Sequence, residues 1–108
     1  MLGLDVYTEY PYIGMVSAPV DFEWDDAKAA GNLGKHGVSF GYGTRVFLDP
    51  NRIVIETFRP QDGEDRLKVV GRIENRVFTV VCVMHGTVCR VISVRRSNSG
   101  EEKAYGDR

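Results

Sequence analysis

Residues 77–84 form an almost unbroken apolar run, and this run constrains the fold more than any other feature of the sequence. An apolar run of this length that is rich in β-branched residues is typical of a strand buried on both faces. Further β-rich segments lie at 52–58, 66–73 and 87–95. Because short links join the last three segments, we expect a four-stranded antiparallel meander with 77–84 as a central strand.

The last link contains His85-Gly86, which fits a two-residue hairpin turn. With that turn, Cys82 would lie directly opposite Cys89. We interpret both residues as thiols packed across the sheet, because cysteines stay reduced in a reducing compartment.

The segment before the meander predicts one short strand and two helices. Residues 20–24 have the composition of a strand. Asp25 is a suitable N-cap and Gly37 a suitable left-handed stop, so we expect a helix that ends at His36. A second helix is expected from Ser39 to Leu48, before an Asp-Pro pair that would end it.

The first predicted helix has an apolar stripe formed by Ala27, Ala30 and Leu33. A separate face carries polar residues at helical spacing, namely Lys28, Asn32 and either Lys35 or His36. The second predicted helix is weakened by Gly41 and Gly43, since glycine is a poor helix former.

Strands grouped after helices favour an α+β fold, with helices on one face of the sheet and the other face open for function. Residues 98–105 are predicted to form a short C-terminal helix. The 108 residues, of which 43% are hydrophobic and 27% charged, suffice for one domain. We place this domain at 20–108. Residues 1–19 lack periodicity, and we expect an N-terminal extension that is either disordered or packs its aromatic residues on the domain.

The charges are distributed unevenly along the chain. Residues 1–27 hold six acidic and no basic side chains, whereas residues 28–108 hold all 14 Lys and Arg with nine acids. A segment with this excess of basic residues can bind phosphates. The alternative is that the charges serve only to solvate the surface. No apolar run of about 18 residues is present, and the N-terminal segment lacks the basic and apolar regions expected of a signal peptide. We therefore expect a cytoplasmic protein without membrane contact.

Basic residues dominate the candidate binding positions. Arg66 lies on a strand face that it shares with Lys68 and Arg72. By the same alternation, Arg90 and Arg95 are predicted to lie on opposite faces of the sheet. The alternative is that these are solvated charges at strand edges.

A built-in metal site is not expected, because His36 and His85 are the only histidines and no carboxylate cluster accompanies them. For His36 a structural role is also open, since a cation suits a helix C-terminus.

Five motifs occur in unbroken order. They are FEWDDAK at 22–28, KHGVSF at 35–40, RVFLDP at 45–50, GEDR at 63–66 and ISVRR at 92–96. Together with Gly71, Glu101 and Tyr105, they resemble the BrnT family, small ribonuclease toxins of bacterial toxin–antitoxin pairs. Gly41 and Gly43 stand where acidic and Ala residues are usual in that family.

The resemblance implies a RelE-like α+β fold and metal-independent cleavage of RNA without a cofactor. It also implies a BrnA-like DNA-binding antitoxin that covers the toxin and represses the shared operon. The toxin would then contact DNA only indirectly, through the antitoxin. The alternative is a non-catalytic basic module that binds RNA or a partner protein and acts as a co-repressor subunit with its antitoxin.

RNA cleavage can use the 2′-hydroxyl as nucleophile, and the enzyme then supplies a base, positive charge and an acid. Glu64 or His36 could be the base. Arg66 and Arg95 could clamp the phosphate, and Lys35 could stabilise charge or protonate the leaving oxygen. The residues expected to bind the RNA backbone by charge are Lys28, Arg90 and Arg96.

Overall fold

The computed structural model describes residue 19 and residues 21–59 and 64–106. The predicted N-terminal extension at 1–19, apart from Pro19, and the loop at 60–63 lie outside the described residues. The described helices are α1 (Asp26–His36), α2 (Phe40–Gly43) and α3 (Ser99–Gly106), with a 3₁₀ helix at Thr44–Leu48. The described strands are β1 (Asp21–Glu23), β2 (Ile53–Arg59), β3 (Glu64–Ile73), β4 (Arg76–His85) and β5 (Val88–Arg96).

The five described strands form one mixed sheet in the order β1-β5-β4-β3-β2. Strands β2 to β5 are antiparallel neighbours, whereas the short β1 pairs in parallel with β5 at the edge. The expected α+β class is therefore confirmed, and so is the central position of the apolar run, which β4 contains. No helix among the described residues combines the length and the apolar character needed to cross a membrane.

Both predicted boundaries of α1 are confirmed. The Asp25 side chain accepts a hydrogen bond from the Lys28 backbone N–H at 2.9 Å, as an N-cap does. Gly37 has φ 71° and donates its N–H to the Leu33 carbonyl at 2.8 Å. Glycine adopts this left-handed conformation without steric cost, which explains why the helix ends there.

The prediction of one continuous second helix at 39–48 is wrong. Ser39 does cap it, accepting from the Tyr42 N–H at 3.0 Å, but the α-helical part stops at Gly43 and a 3₁₀ helix follows. The Thr44 hydroxyl donates to the Gly41 carbonyl at 2.7 Å. Two glycines and this local side-chain bond both weaken the α-helical alternative, so the last residues take the tighter turn.

The apolar stripe of α1 does not face the core. Ala27, Ala30 and Leu33 are exposed, the leucine by 51%. The side of α1 that packs inward carries Ala29 and the buried Asn32 instead. A polar residue occupies this position because the neighbouring edge of β5 offers backbone groups that need hydrogen-bond partners.

The strand pairing of the last hairpin differs from the predicted pairing at two places. His85 pairs with Val88, so the two turn residues are Gly86 and Thr87. Further along, Cys82 pairs with Val91 but Val81 pairs with Ser93, so Ile92 is the extra residue of a β-bulge.

The two cysteines therefore do not lie directly opposite each other, because Cys89 pairs with Met84 and not with Cys82. Both are buried and free, as expected for packed thiols. Hydrogen bonding to Cys89, together with burial, raises the pKa of the Cys82 thiol.

The bulge also reverses the predicted placement of two arginines. Cys89, Val91 and Val94 all belong to the main hydrophobic core, although two residues, and not one, lie between the last two along the strand. Arg90 and Arg95, each adjacent to one of these core residues, therefore lie together on the opposite face of the sheet, and the expectation of opposite faces is wrong.

The two faces of the sheet are covered differently. The face that we call the inner face packs against α1, α2 and the 3₁₀ helix. The other face is not fully open, contrary to the prediction, because α3 packs on one end of it. There Tyr105 joins Val70 and Val77 in a second, smaller apolar cluster.

Candidate functional site

Basic side chains are concentrated on the face of the sheet opposite the main core. Lys68 on β3 pairs with Val81, and Arg95 on β5 pairs with Thr79, so both lie on this face. Arg66 lies two residues before Lys68 on the same strand. We call the positions Arg66, Lys68, Arg90 and Arg95 the basic face.

One buried carboxylate connects two of these cations. Glu101, in the first turn of α3, forms a bidentate pair with Arg95 at 2.8 and 2.9 Å. Its Oε2 atom also accepts from Lys68 Nζ at 3.1 Å. Its Oε1 atom accepts from the Thr79 hydroxyl at 2.8 Å and from the Asn98 N–H at 3.0 Å.

The same carboxylate caps the helix that carries it. The Asn98 side chain accepts from the Glu101 N–H at 2.8 Å, while Glu101 accepts from the Asn98 N–H. This reciprocal arrangement is a capping box, in which the N-cap and the third helical residue satisfy each other's backbone donors. Glu101 therefore anchors α3 to three strands of the sheet at once.

The electrostatics of this cluster follow from its hydrogen bonds. Burial raises the pKa of Glu101, but the bonds from its four donor residues outweigh that effect and lower the pKa to about 2. Hydrogen bonding to Glu101 also raises the pKa of Arg95. The Glu101 carboxylate is thus ionised near neutral pH. The formal charges of one carboxylate and two basic side chains leave the cluster with one net positive charge.

Arg90 lies at the β1 end of the basic face. Its guanidinium is 3.7 Å from Glu23, and both side chains are 49% exposed. An exposed pair at this distance is weak, typically under about 1 kcal/mol. Arg90 therefore remains available to a competing anion.

The structure separates the predicted site residues into two groups. Arg66, Arg90 and Arg95 lie on the same side of the sheet, the basic face. The exposed residues Lys28, Lys35 and His36 lie on α1, which packs on the inner face and the edge of β5.

The two other predicted residues lie at strand ends. Arg96 is exposed and pairs with Phe78, a residue of the main core, so it belongs to the side of α1. Glu64 is the first residue of β3 and pairs with Arg59.

The comparison with known families decides the identity. A family model described as "Ribonuclease toxin, BrnT, of type II toxin-antitoxin system" matches residues 24–101, which is well over half of the chain. The chain belongs to the BrnT family. The resemblance seen in the sequence is thereby confirmed, and with it, at the level of the family, a ribonuclease toxin with an antitoxin partner. No curated protein matches this chain at a significant level.

Two residues of the ion cluster on this face are not among the predicted site residues, Lys68 and Glu101. The alternation along β3 already places Lys68 on the face of Arg66. For Glu101 the available signals were its place among the residues that resemble the BrnT family and the N-x-x-E spacing from Asn98, which is typical of a helix start. That spacing carries no information on which distant cations the carboxylate meets.

Two described hollows in this BrnT-family structure lie away from the predicted residues. They measure about 280 and 330 Å³ and meet at Glu74, in the turn between β3 and β4. Their basic residues are Arg45, Arg72 and Arg76. Arg45 is 3.7 Å from Glu74 and 5.0 Å from the centre of the Tyr42 ring, so its guanidinium has two neighbours on the surface. Among the described residues, no group of three His, Cys, Asp or Glu could hold a metal ion.

Proposed function

We propose that this BrnT-family protein is a cytoplasmic, metal-independent endoribonuclease with a RelE-like fold, the toxin of a toxin–antitoxin pair. The observation that carries the proposal is the basic face, where Arg66, Lys68, Arg90 and Arg95 of β3 and β5 share one side of the sheet. A single-stranded RNA is held by such a surface chiefly through its phosphates. The family description is consistent with this chemistry.

The proposed reaction needs only groups of the protein and of the RNA. The 2′-oxygen bonds to the adjacent phosphorus, and the bond from phosphorus to the 5′-oxygen breaks. The base takes the proton of the 2′-hydroxyl, and the acid gives a proton to the departing 5′-oxygen. The products are a 2′,3′-cyclic phosphate and a 5′-hydroxyl end. Positive charge around the phosphate stabilises the transition state.

Arg66 and Arg95 clamp the reacting phosphate in this proposal. Glu64 is the preferred base, because it stands two residues from Arg66 on β3. Glu101 is unsuited to that role, since a carboxylate with a pKa of about 2 and five hydrogen bonds is a poor proton acceptor.

Lys35 and His36, the predicted acid and alternative base, lie on α1 on the other side of the sheet from Arg66 and Arg95, so they cannot reach the oxygens bonded to a phosphate that these arginines clamp. In this proposal the acid is therefore a group that reaches the basic face, through one water where needed, and Lys35 and His36 contact the RNA where it passes around the edge of β5 towards α1. Lys28, Arg90 and Arg96 then bind the flanking phosphates on either side of that edge.

The partner in this proposal is a BrnA-like DNA-binding antitoxin. A basic face is blocked most simply by an acidic or amphipathic segment of the partner, because opposite charges attract over the whole surface. The toxin itself then reaches DNA only through the antitoxin.

The deciding experiment is a cleavage assay on single-stranded RNA in EDTA, with and without the co-expressed antitoxin. We expect fragments with 2′,3′-cyclic phosphate ends, and inhibition by the antitoxin. RNA binding with a steep salt dependence but no fragments would contradict the proposal and favour the non-catalytic co-repressor module.

A further inference from the structure

We propose that Glu101 is a positioning residue that holds Lys68 and Arg95 together as one phosphate-binding unit, and that Lys68 is a further substrate-contacting residue. This inference rests on the proposed ribonuclease function, which it extends to two residues outside the predicted site.

The first argument is the separation between the strands that carry the two cations. Lys68 is on β3 and Arg95 is on β5, with β4 between them. Strand axes two positions apart in a sheet are separated by about 10 Å. Two like charges so placed repel each other, and nothing in their own strands directs them to a common point. Glu101 lies over β4 and accepts hydrogen bonds from both Lys68 and Arg95. Thr79 of β4 also donates a hydrogen bond to it.

The second argument concerns the hydrogen-bond donors of Lys68 and Arg95 that Glu101 does not use. A lysine ammonium has three N–H donors and a guanidinium has five. Glu101 uses one donor of Lys68 and two of Arg95. The Glu101 side chain is only 5% exposed, whereas those of Lys68 and Arg95 are 31% and 25% exposed. The carboxylate thus lies beneath the two cations. Lys68 and Arg95 remain partly exposed to solvent, where they can bind the oxygens of a phosphate.

The third argument is charge. Two cations and one carboxylate leave a single positive charge, which matches the single negative charge of a phosphodiester. A buried ion network is an expensive way to attach a helix, because desolvating each charge costs several kcal/mol. Tyr105 already attaches the same helix through apolar contacts. The network is therefore better explained as a means of positioning the side chains of Lys68 and Arg95.

The test uses Glu101→Gln, which has the same size but lacks the charge. Without the carboxylate the two cations separate, so we expect kcat for RNA cleavage to fall about 100-fold, as when one transition-state donor is lost. Binding should change in the opposite direction, because the face gains one net positive charge. A 2′-O-methyl oligonucleotide lacks the attacking hydroxyl, so it measures binding alone. It should bind several-fold more tightly and with a steeper salt dependence.

Glu102→Gln is the matched control, because it removes the same charge from the neighbouring, exposed position of α3. We expect this variant to cleave at the wild-type rate. Equal effects of the two substitutions would assign the result to overall charge and overturn the proposal. A parallel loss of cleavage and binding in Glu101→Gln would indicate a purely structural role and would also overturn it.

A second variant, Lys68→Gln, covers the case in which Glu101→Gln does not fold. It changes a partly exposed side chain on β3, and we expect both weaker binding and slower cleavage. Wild-type cleavage by Lys68→Gln would overturn the inference while leaving the ribonuclease proposal intact. Absence of cleavage by the wild-type protein would instead contradict the proposed function itself.

Discussion

The side-chain amide of Asn32 hydrogen-bonds both backbone groups of Val94. Its Nδ2 atom donates to the Val94 carbonyl at 2.8 Å, and its Oδ1 atom accepts from the Val94 N–H at 3.2 Å. Strand β1 pairs with β5 only as far as Arg90, so the edge at Val94 has no neighbouring strand among the described residues. The amide takes the place of that strand. The second Nδ2 donor bonds to the Val38 carbonyl at 3.1 Å, which ties the loop after α1 to the same point.

Replacing Asn32 by Ala should destabilise the protein by roughly 2–3 kcal/mol, because it leaves buried backbone groups without partners. Leu33→Ala, on the exposed side of α1, should cost less than about 0.5 kcal/mol. Urea unfolding of both variants measures the difference. A larger cost for Leu33 would mean that the apolar stripe, and not the amide, holds α1 in place.

Gly43 allows α2 to approach β5 closely. A β-carbon at Gly43 would lie 2.5 and 2.6 Å from the two γ-carbons of Val94, a buried core residue. Gly43→Ala should therefore destabilise the fold by about 1–3 kcal/mol through overpacking.

Gly41→Ala is the matched control, because nothing lies within 4 Å of a β-carbon at that position. It should be neutral or stabilising by up to about 1 kcal/mol, since alanine is the better helix former. Thermal unfolding compares the two variants, and similar melting temperatures would contradict the close approach.

Stability should fall at acid pH through Glu101. Its pKa is lowered to about 2 in the folded state, so the unfolded chain binds this proton more readily. The resulting stabilisation, on the order of 3 kcal/mol, is complete above about pH 4.5 and is lost as pH falls towards 2. Urea unfolding between pH 7 and pH 2.5 measures it. Glu101→Gln should flatten this part of the profile, whereas an unchanged profile would contradict the assignment to Glu101.

Arg66→Ala should lower kcat for RNA cleavage by about 10²–10³-fold, because the reacting phosphate loses a transition-state donor. Arg76→Ala is a suitable comparison, since Arg76 is exposed and pairs with Ile73 of the main core, on the other side of the sheet. We expect it to cleave at nearly the wild-type rate. Growth arrest on expression should follow the same order, and equal activity of the two variants would remove Arg66 from the site.

Much of the architecture could be predicted from local patterns. The apolar run of β4, the Asp25 cap and the Gly37 stop each depend on a few neighbouring residues, so their signals are complete within the sequence. The BrnT motifs are likewise short contiguous segments that can be identified in the sequence alone. The placement of the candidate residues could be predicted only in part. Arg66, Arg90 and Arg95 share the basic face, but Lys35 and His36 lie on α1 on the other side of the sheet.

Local propensity and periodicity over a few residues establish most of the elements and their order, although not the break of the second helix after Gly43 or the turn of the last hairpin. Which side chains meet depends on the tertiary structure. One additional residue, Ile92, brings Arg90 and Arg95 to the same face, since a shift of one residue inverts the alternation along a strand. Glu101 joins cations of two strands through contacts distant in the chain. Such pairings depend on how separate elements dock, and no local pattern records that.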